Sequence, residues 1–435
     1  MKKIIRHIFQ TVRGKLLKPV LQKLEQQSDN IRIVAANTFK TGAMLKKVQG
    51  MPINVLFVCH EPALWGMFES VYTAMAEDSA FSPKVIALSY AHSTLAKGEY
   101  KDAGVVEFLE SRGFPVIRGY DKENQKWIRP GMLHPDYVFF QTPYGCYPSA
   151  WSVEKISLIA RVCYIPYATC LFKGEVDEIL HPSEFFRFVS LVFKEGRISR
   201  ELFVEKFKHE DWFDERMVEV SGHPKLDYVE KTPVLVGSAW KRGVSMNVKR
   251  ILWTPRWRTD EGTCHFFDYK DFFENFSADH LLEVDFAFRP HPLCLQNFLK
   301  TGELSSEQLD LLESAYNRSP NRVIDKAGDY QATFLTSDIL VSDISSMMLE
   351  YFVTGKPIVY THSIDQFNIF GAALSKGFYW VRNEAELKST LEMLLSGNDP
   401  LRVVREEIIK TELFKADGGA GLQIAKRICA DFKNL

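Results

Sequence analysis

The strongest chemical signal in the chain is Ser337-Asp338-Ile339-Leu340-Val341-Ser342-Asp343-Ile344-Ser345-Ser346, which runs on through Glu350 and closes at Gly355-Lys356-Pro357. It reads as an apolar strand, a turn carrying an acid and two hydroxyls, and then a helix start. A helix start offers unpaired N–H groups and a positive dipole end, which suits an anion. Upstream, Arg289-Pro290-His291-Pro292 follows the apolar run Val284 to Phe288. The prolines restrict the backbone, so the guanidinium and imidazole can converge on the same anion. Together the two turns predict a site for a phosphate or a nucleotide diphosphate.

Other strand-end turns hold further candidates. Thr254-Pro255-Arg256-Trp257-Arg258-Thr259-Asp260 places two arginine forks after a strand, with a tryptophan to pack their planes or a base. His60-Glu61, followed by Trp65 and Glu69, pairs an imidazole with a carboxylate that can tune it as a general base; a plain capping turn weighs equally. Tyr144 and Tyr147 flank a Gly-Cys turn, and Tyr164-Ile165-Pro166-Tyr167 ends the next strand. Trp65, Tyr144 and Tyr167 are acceptor-side candidates, although tyrosines at strand ends are more often lids on a core. There is no Walker A loop, G-x-G-x-x-G, H-E-x-x-H or serine-hydrolase elbow.

The elements that must position these turns alternate in type. Apolar strands are expected at Ile53–Cys59, Lys84–Leu88, Pro115–Ile117, Tyr137–Gln141, Cys163–Tyr167 and Val218–Gly222, with helices at Glu69–Met75, Val105–Ser111 and Val153–Val162 between them. A polar stretch from Thr232 to Val244 reads as a hinge. A second strand series follows at Arg250–Thr254, Val284–Phe288, Val323–Ile324, Ile339–Val341 and Pro357–Tyr360, and helices at Glu384–Leu395 and Leu401–Cys429 close the chain. This predicts an α/β protein with two Rossmann-like, doubly wound parallel-sheet domains facing an interdomain cleft. The expected divisions are a basic amphipathic extension (1–50), an acceptor domain (51–235), a donor domain (236–415) and a terminal helix (416–435) that can pack back on the first domain.

Bulk properties bound the function. A chain of 435 residues exceeds one ordinary core, and a formal net charge of −1 supplies no electrostatic footprint for nucleic acid. The seven cysteines are scattered without C-x-x-C or zinc-like spacing, which points to reduced thiols in a cytosolic protein. No apolar run is long enough to cross a bilayer and nothing resembles a cleavable signal. In residues 1–25, Ile5, Ile8, Phe9, Val12, Leu16, Val20 and Leu24 fall near one helical face, surrounded by Lys2, Lys3, Arg6, Arg13, Lys15, Lys18 and Lys23. Such a helix suits an anionic membrane interface, so a cytoplasmic protein peripheral to the membrane is expected.

Thr254-Pro255-Arg256-Trp257-Arg258, Arg289-Pro290-His291-Pro292, the Ser337–Ser346 segment, Gly355-Lys356-Pro357 and Lys376-Gly377-Phe378-Tyr379 occur in the order seen in CDP-glycerol glycerophosphotransferases, which the chain resembles over roughly residues 220–415. These include teichoic acid primases and polymerases and related capsule enzymes. The resemblance implies a GT-B fold, a CDP-alditol donor on the second domain and a membrane-linked glycan or lipid acceptor on the first. It implies that His291 is the essential histidine at the donor diphosphate, and that Asp343, Ser345 and Ser346 form the phosphate-binding turn, with Arg256, Arg258 and Arg289 beside it. In the family's polymerases a Trp-His-Gly turn supplies a histidine that activates the acceptor. Here Tyr164-Ile165-Pro166-Tyr167 stands in its place without one, so His60 or Glu61 is the substitute base. No cofactor or metal-ligand set is implied, and a divalent metal stays open. Alternatives are a GT-B glycosyltransferase using a nucleotide sugar, or a non-catalytic donor-binding subunit of a capsule assembly complex. Glycerol versus ribitol, primase versus polymerase, and the oligomeric state are not read from the sequence.

Overall fold

The computed structural model describes residues 23, 26–27, 30–91, 96, 98–169, 171–174, 180–230, 239–242, 248–260, 262–327, 330–345, 347–361, 366–413 and 419–435. The basic stretch 1–25 lies outside the described residues except for Lys23, and most of the 232–244 stretch lies outside them too.

The first sheet comprises β1 (Ile53–Cys59), β2 (Phe81–Ala87), β3 (Val116–Arg118), β6 (Tyr137–Phe140), β7 (Arg161–Tyr164), β8 (Leu191–Lys194) and β9 (Val218–Val220), with a small antiparallel hairpin of β4 (Tyr120–Asp121) and β5 (Lys126–Trp127) beside it. Its order is β3-β2-β1-β6-β7-β8-β9, and its pairings are parallel. The second sheet comprises β10 (Lys249–Thr254), β11 (Val284–Phe288), β12 (Arg322–Ile324), β13 (Ile339–Ser342), β14 (Ile358–Tyr360) and β15 (Phe378–Trp380). Its order, β12-β11-β10-β13-β14-β15, is again all parallel. In each sheet the order reverses beside the first strand, which opens a crevice at the carboxyl ends where ligands bind.

The apolar runs form these strands because both faces are covered. Val55, Phe57 and Cys59 enter one core while Leu56 and Val58 enter the other; Ile251 and Trp253 part from Leu252 in the same way. Alternation by two thus survives beneath a continuous apolar run. The sequence reading misses β8 and β15, which are only four and three residues long. The expected Val153–Val162 helix is confined to Val153–Ile156, because the chain must enter β7 at Arg161. The expected Leu401–Cys429 helix is two helices, Arg402–Glu412 and Gly419–Lys433.

The Gly419–Lys433 helix returns to the first domain and packs Ile424, Ala425, Ile428 and Phe432 into the core that holds Phe57. Asp227 accepts hydrogen bonds from Ala420 N (2.9 Å) and Gly421 N (3.0 Å) at its start. Gly421 is required there, since a Cβ would lie 2.4 Å from the Ser70 carbonyl carbon. A helix over 30–49 docks by Ala43, which is 1% exposed, and by Lys46 Nζ on Asp136 Oδ2 (2.5 Å). Its Ile31, Ile33, Val34, Leu45 and Val48 are exposed. Among the described residues no helix is long and apolar enough to cross a membrane. Six of the seven cysteines are described, and all six are free thiols.

Candidate active site

The turns after β10, β11 and β13 converge on one cleft of about 830 Å³. Thr254, Arg256 and Trp257 come from the first turn, Arg289 and His291 from the second, and Ile344 and Ser345 from the third. The opposite wall is Ala63, Leu64, Tyr167 and Lys225 from the first domain. The parallel register places three carboxyl ends side by side, which brings residues far apart in sequence to one place.

Asp343 organises the turn but does not face the ligand space. It is 1% exposed, and its carboxylate accepts from Arg256 N and from His265 N (3.0 Å). Burial pushes its pKa up to about 7, against the pull of those amides and the Arg256 charge. The Thr254 hydroxyl donates to Ser342 Oγ (2.9 Å), tying the same two strand ends together. Ser345 lines the cleft and accepts from Met347 N (3.2 Å), capping the Met347–Phe352 helix. Ser346 lies outside the described residues.

His291 is the open chemical group. Its ring stacks on Trp257 (centroids 5.7 Å apart, planes 25° apart), and its Nδ1 accepts from Leu293 N at 3.2 Å. An acceptor at Nδ1 places the proton of the neutral ring on Nε2, which is then a donor. Burial and the nearby Arg256 charge hold its pKa below the ordinary value of 6.5. The resting imidazole is therefore neutral at pH 7.

The arginines divide into different roles. Arg256 lines the cleft. Arg289 also lines it, but its Nη1 is held by Asp325 Oδ2 (2.6 Å) and its Nη2 donates to Ala327 O (2.8 Å). Those side chains are only 11% and 2% exposed, so Arg289 acts first as a structural brace. Arg258 pairs with Asp260 through Nε (2.9 Å) and Nη2 (2.7 Å), over the Trp257 ring, and is not among the cleft-lining residues.

On the first-domain side, the structure does not bring His60 into the cleft. It is 5% exposed, with Nδ1 3.1 Å from Tyr147 Oη and its ring against Tyr90 and Tyr147. Burial drops its pKa to about 4, with Glu61 opposing, so it is a poor proton acceptor. Trp65 is fully buried against Tyr72 and Phe114, because its turn folds inward as a six-residue 3-10 helix. Glu61 lines an adjoining groove of about 660 Å³, of which Trp65 also forms part of the wall, and accepts from the Tyr90 hydroxyl. That groove shares Ala63, Lys225 and Tyr330 with the main cleft. Tyr167 also lines the cleft, its hydroxyl 2.6 Å from that of Tyr144.

Sequence reasoning did not single out Lys225 and Tyr330. Lys225 Nζ pairs with Glu350 across the domains and sits over the Tyr330 ring at 5.5 Å. Its turn, Gly222-His223-Pro224-Lys225, carried a signal in its strand-end position. His223 is buried and bonds to Pro166 O (2.8 Å) and Lys225 N (3.2 Å), which fixes the lysine's approach. Among the described residues no group of His, Cys, Asp and Glu is placed to hold a metal ion.

Comparison with known proteins agrees with this fold. The chain is similar in structure to the wall teichoic acid polymerase TagF, at 15% identity and TM-score 0.59, covering 100% of this chain and 99% of that one. It is also similar to S. aureus MnaA, solved with UDP (10% identity, TM-score 0.58, 88% and 98% covered). The UDP-GlcNAc 2-epimerase of Neisseria meningitidis aligns at 12% identity and TM-score 0.56, over 88% and 99% of the chains. At such identities the likeness is one of fold, and it establishes the GT-B architecture. No curated protein matches the sequence significantly. A family match covers residues 192–379, which include the turns after β10, β11 and β13. The model that those residues match is that of the CDP-Glycerol:Poly(glycerophosphate) glycerophosphotransferase family, to which this part of the chain is similar.

Proposed function

We propose that the protein transfers glycerol phosphate from CDP-glycerol to a hydroxyl of a membrane-linked glycan or lipid in teichoic acid-like or capsule polymer synthesis. The observation that carries this reading is the cleft that joins Arg256, His291 and Ser345 on one wall to Lys225 and Tyr167 on the other. The acceptor oxygen attacks the phosphorus bearing glycerol, its bond to phosphorus forms, the bond to the CMP oxygen breaks, and CMP leaves as an anion. Arg256 and the Nε2–H of His291 hold the diphosphate and meet the charge that grows on CMP. Glu61 takes the acceptor proton in the adjoining groove; its position there makes it a better base than the buried His60. The TagF structures include a variant soaked with CDPG, which supports a donor of this kind.

The test is product analysis with pure protein and a lipid-acceptor extract. CMP release from CDP-glycerol is expected, and no UDP or GDP release from sugar nucleotides. The converse would favour the nucleotide-sugar reading, which the likeness to a UDP-bound structure keeps in play.

Donor binding is also expected to depend on pH. A bound diphosphate favours the imidazolium, so the His291 pKa rises on binding from its depressed free value. The complex then takes up a proton, and affinity strengthens as pH falls from about 8 toward about 6. Calorimetry at several pH values checks this, and His291→Gln should flatten the dependence.

The basic residues 1–25 would hold the protein on anionic lipid at the cytoplasmic face. Removing them is expected to abolish co-sedimentation with phosphatidylglycerol vesicles at low salt, and unchanged sedimentation would sink that assignment.

A further inference from the structure

The helix over 30–49 leaves most of its surface uncovered. Arg32 lies over the Phe188 ring at 5.0 Å, and Phe39 meets Tyr137 edge-on with centroids 6.4 Å apart. With the buried Ala43 and with Lys46 on Asp136, they hold the helix to the body. Asp136 immediately precedes β6, and the helix stops at Gly50, in the left-handed region (φ 64°), before the chain enters β1 at Ile53. The helix thus lies at the amino ends of the first sheet, away from the cleft at the carboxyl ends.

One exposed stripe of this helix has a seven-residue period. Ile31, Val34, Thr38, Thr41, Leu45 and Val48 follow one another at alternating steps of three and four. They are the a and d positions of three heptads and share one side of the helix. Ile31, Val34, Leu45 and Val48 are 56%, 64%, 57% and 86% exposed, and both threonines are exposed. Thr38 and Thr41 donate their hydroxyls to the carbonyls of Val34 and Asn37 (2.9 Å each), so neither hydroxyl needs a partner across the stripe.

Symmetry and charge point to the occupant. The stripe is a palindrome about the midpoint of Phe39 and Lys40. In an antiparallel pair, Ile31 meets Val48 of the second copy, Val34 meets Leu45, and Thr38 meets Thr41. A twofold interface requires such self-complementarity. It also sets like charges together, and residues 30–51 hold Arg32, Lys40, Lys46 and Lys47 with no acid to offset them. All four lie off the stripe. Arg32 and Lys46 turn to the body, and Lys40 and Lys47 fall at the c position, which points away from a pairing seam. The flanking residues Ala35, Asn37, Gly42, Met44 and Gln49 are uncharged, and Ala35 and Gly42 let two helices approach closely. Lipid fits less well, because Asn30 and Asn37 lie within the wider exposed face and a bilayer would bury their amides.

We propose that this stripe joins two copies of the chain as an antiparallel helix pair, leaving both clefts open. Three heptads make a small interface, so the dissociation constant is expected in the micromolar range.

Sedimentation velocity on the full-length protein, without lipid, tests this. At about 100 µM, well above such a constant, the wild type is expected to sediment as a dimer. Val34→Lys with Leu45→Lys sets lysine against lysine and should give a monomer with an unchanged circular dichroism spectrum, since both positions are exposed. Val34→Glu with Leu45→Lys sets acid against lysine at both crossings and should restore the dimer. The two positions are about 16 Å apart along one helix, too far to pair within a chain. Crosslinking reads the direction. An oxidised mixture of Val34→Cys and Leu45→Cys should give a covalent dimer. Val34→Cys alone should not, because its two copies lie about 16 Å apart along an antiparallel pair. The proposal is overturned if the wild type is a monomer at that concentration, if the two charged variants behave alike, or if Val34→Cys crosslinks alone as well as in the mixture. A monomeric wild type whose binding to phosphatidylglycerol vesicles is lost in Val34→Asp with Leu45→Asp would give the face to lipid and likewise overturn it.

Discussion

Replacing His291 with alanine is expected to lower CMP release from CDP-glycerol about a hundredfold or more, with little change in melting temperature. Losing one preorganised donor to a developing charge typically has an effect of that size. The fold should tolerate the change because the ring lies at the cleft surface, stacked on Trp257 and accepting a hydrogen bond from the local amide of Leu293. The loss should appear mainly in kcat, since the interaction strengthens as charge moves onto the departing CMP. His291→Gln keeps an N–H donor and should retain more activity than His291→Ala. Turnover unchanged in the alanine variant would remove His291 from the reaction and with it the donor-site assignment.

Arg289→Ala is expected to act through stability. Arg289 and Asp325 form a pair of which 11% and 2% is exposed, with Ala327 O as a further acceptor. Truncating the arginine leaves the Asp325 carboxylate buried without its counter-charge, at a cost of about 3–5 kcal/mol. Urea unfolding should therefore show a lower midpoint, and the cleft should lose donor affinity as the Asp325–Ala327 turn loosens. The double variant Arg289→Met with Asp325→Leu should recover much of the stability, because no charge is then left unpaired. A single variant with a wild-type unfolding midpoint but lost donor affinity would instead make Arg289 a direct phosphate ligand.

The contrast between Arg289 and His291 shows why the site was only partly legible in the sequence. Both sit in one strand-end turn, and their types suit a diphosphate equally. What separates them is Asp325, which reaches Arg289 because β12 pairs with β11. The same holds for Asp343, claimed by the distant backbone amides of Arg256 and His265, whereas Arg258 is claimed by Asp260 only two residues on. His60 and Glu61 are neighbours in sequence, yet one turns into the core and the other lines a groove. Lys225 was harder to find, since its partner Glu350 lies 125 residues away in the other domain.

The sequence by itself determined the alternation of strands and helices, the two parallel sheets and the turns on which the second-domain wall of the cleft is built. Those are local properties: apolar runs of strand length, glycine and proline stops, and polar groups placed just after a strand. Tertiary structure alone decided which cations face the cleft and which carboxylate lines the groove beside it. Charge pairing and burial are settled by residues distant in the chain, and each changes a side chain's chemistry more than its own neighbours in sequence do.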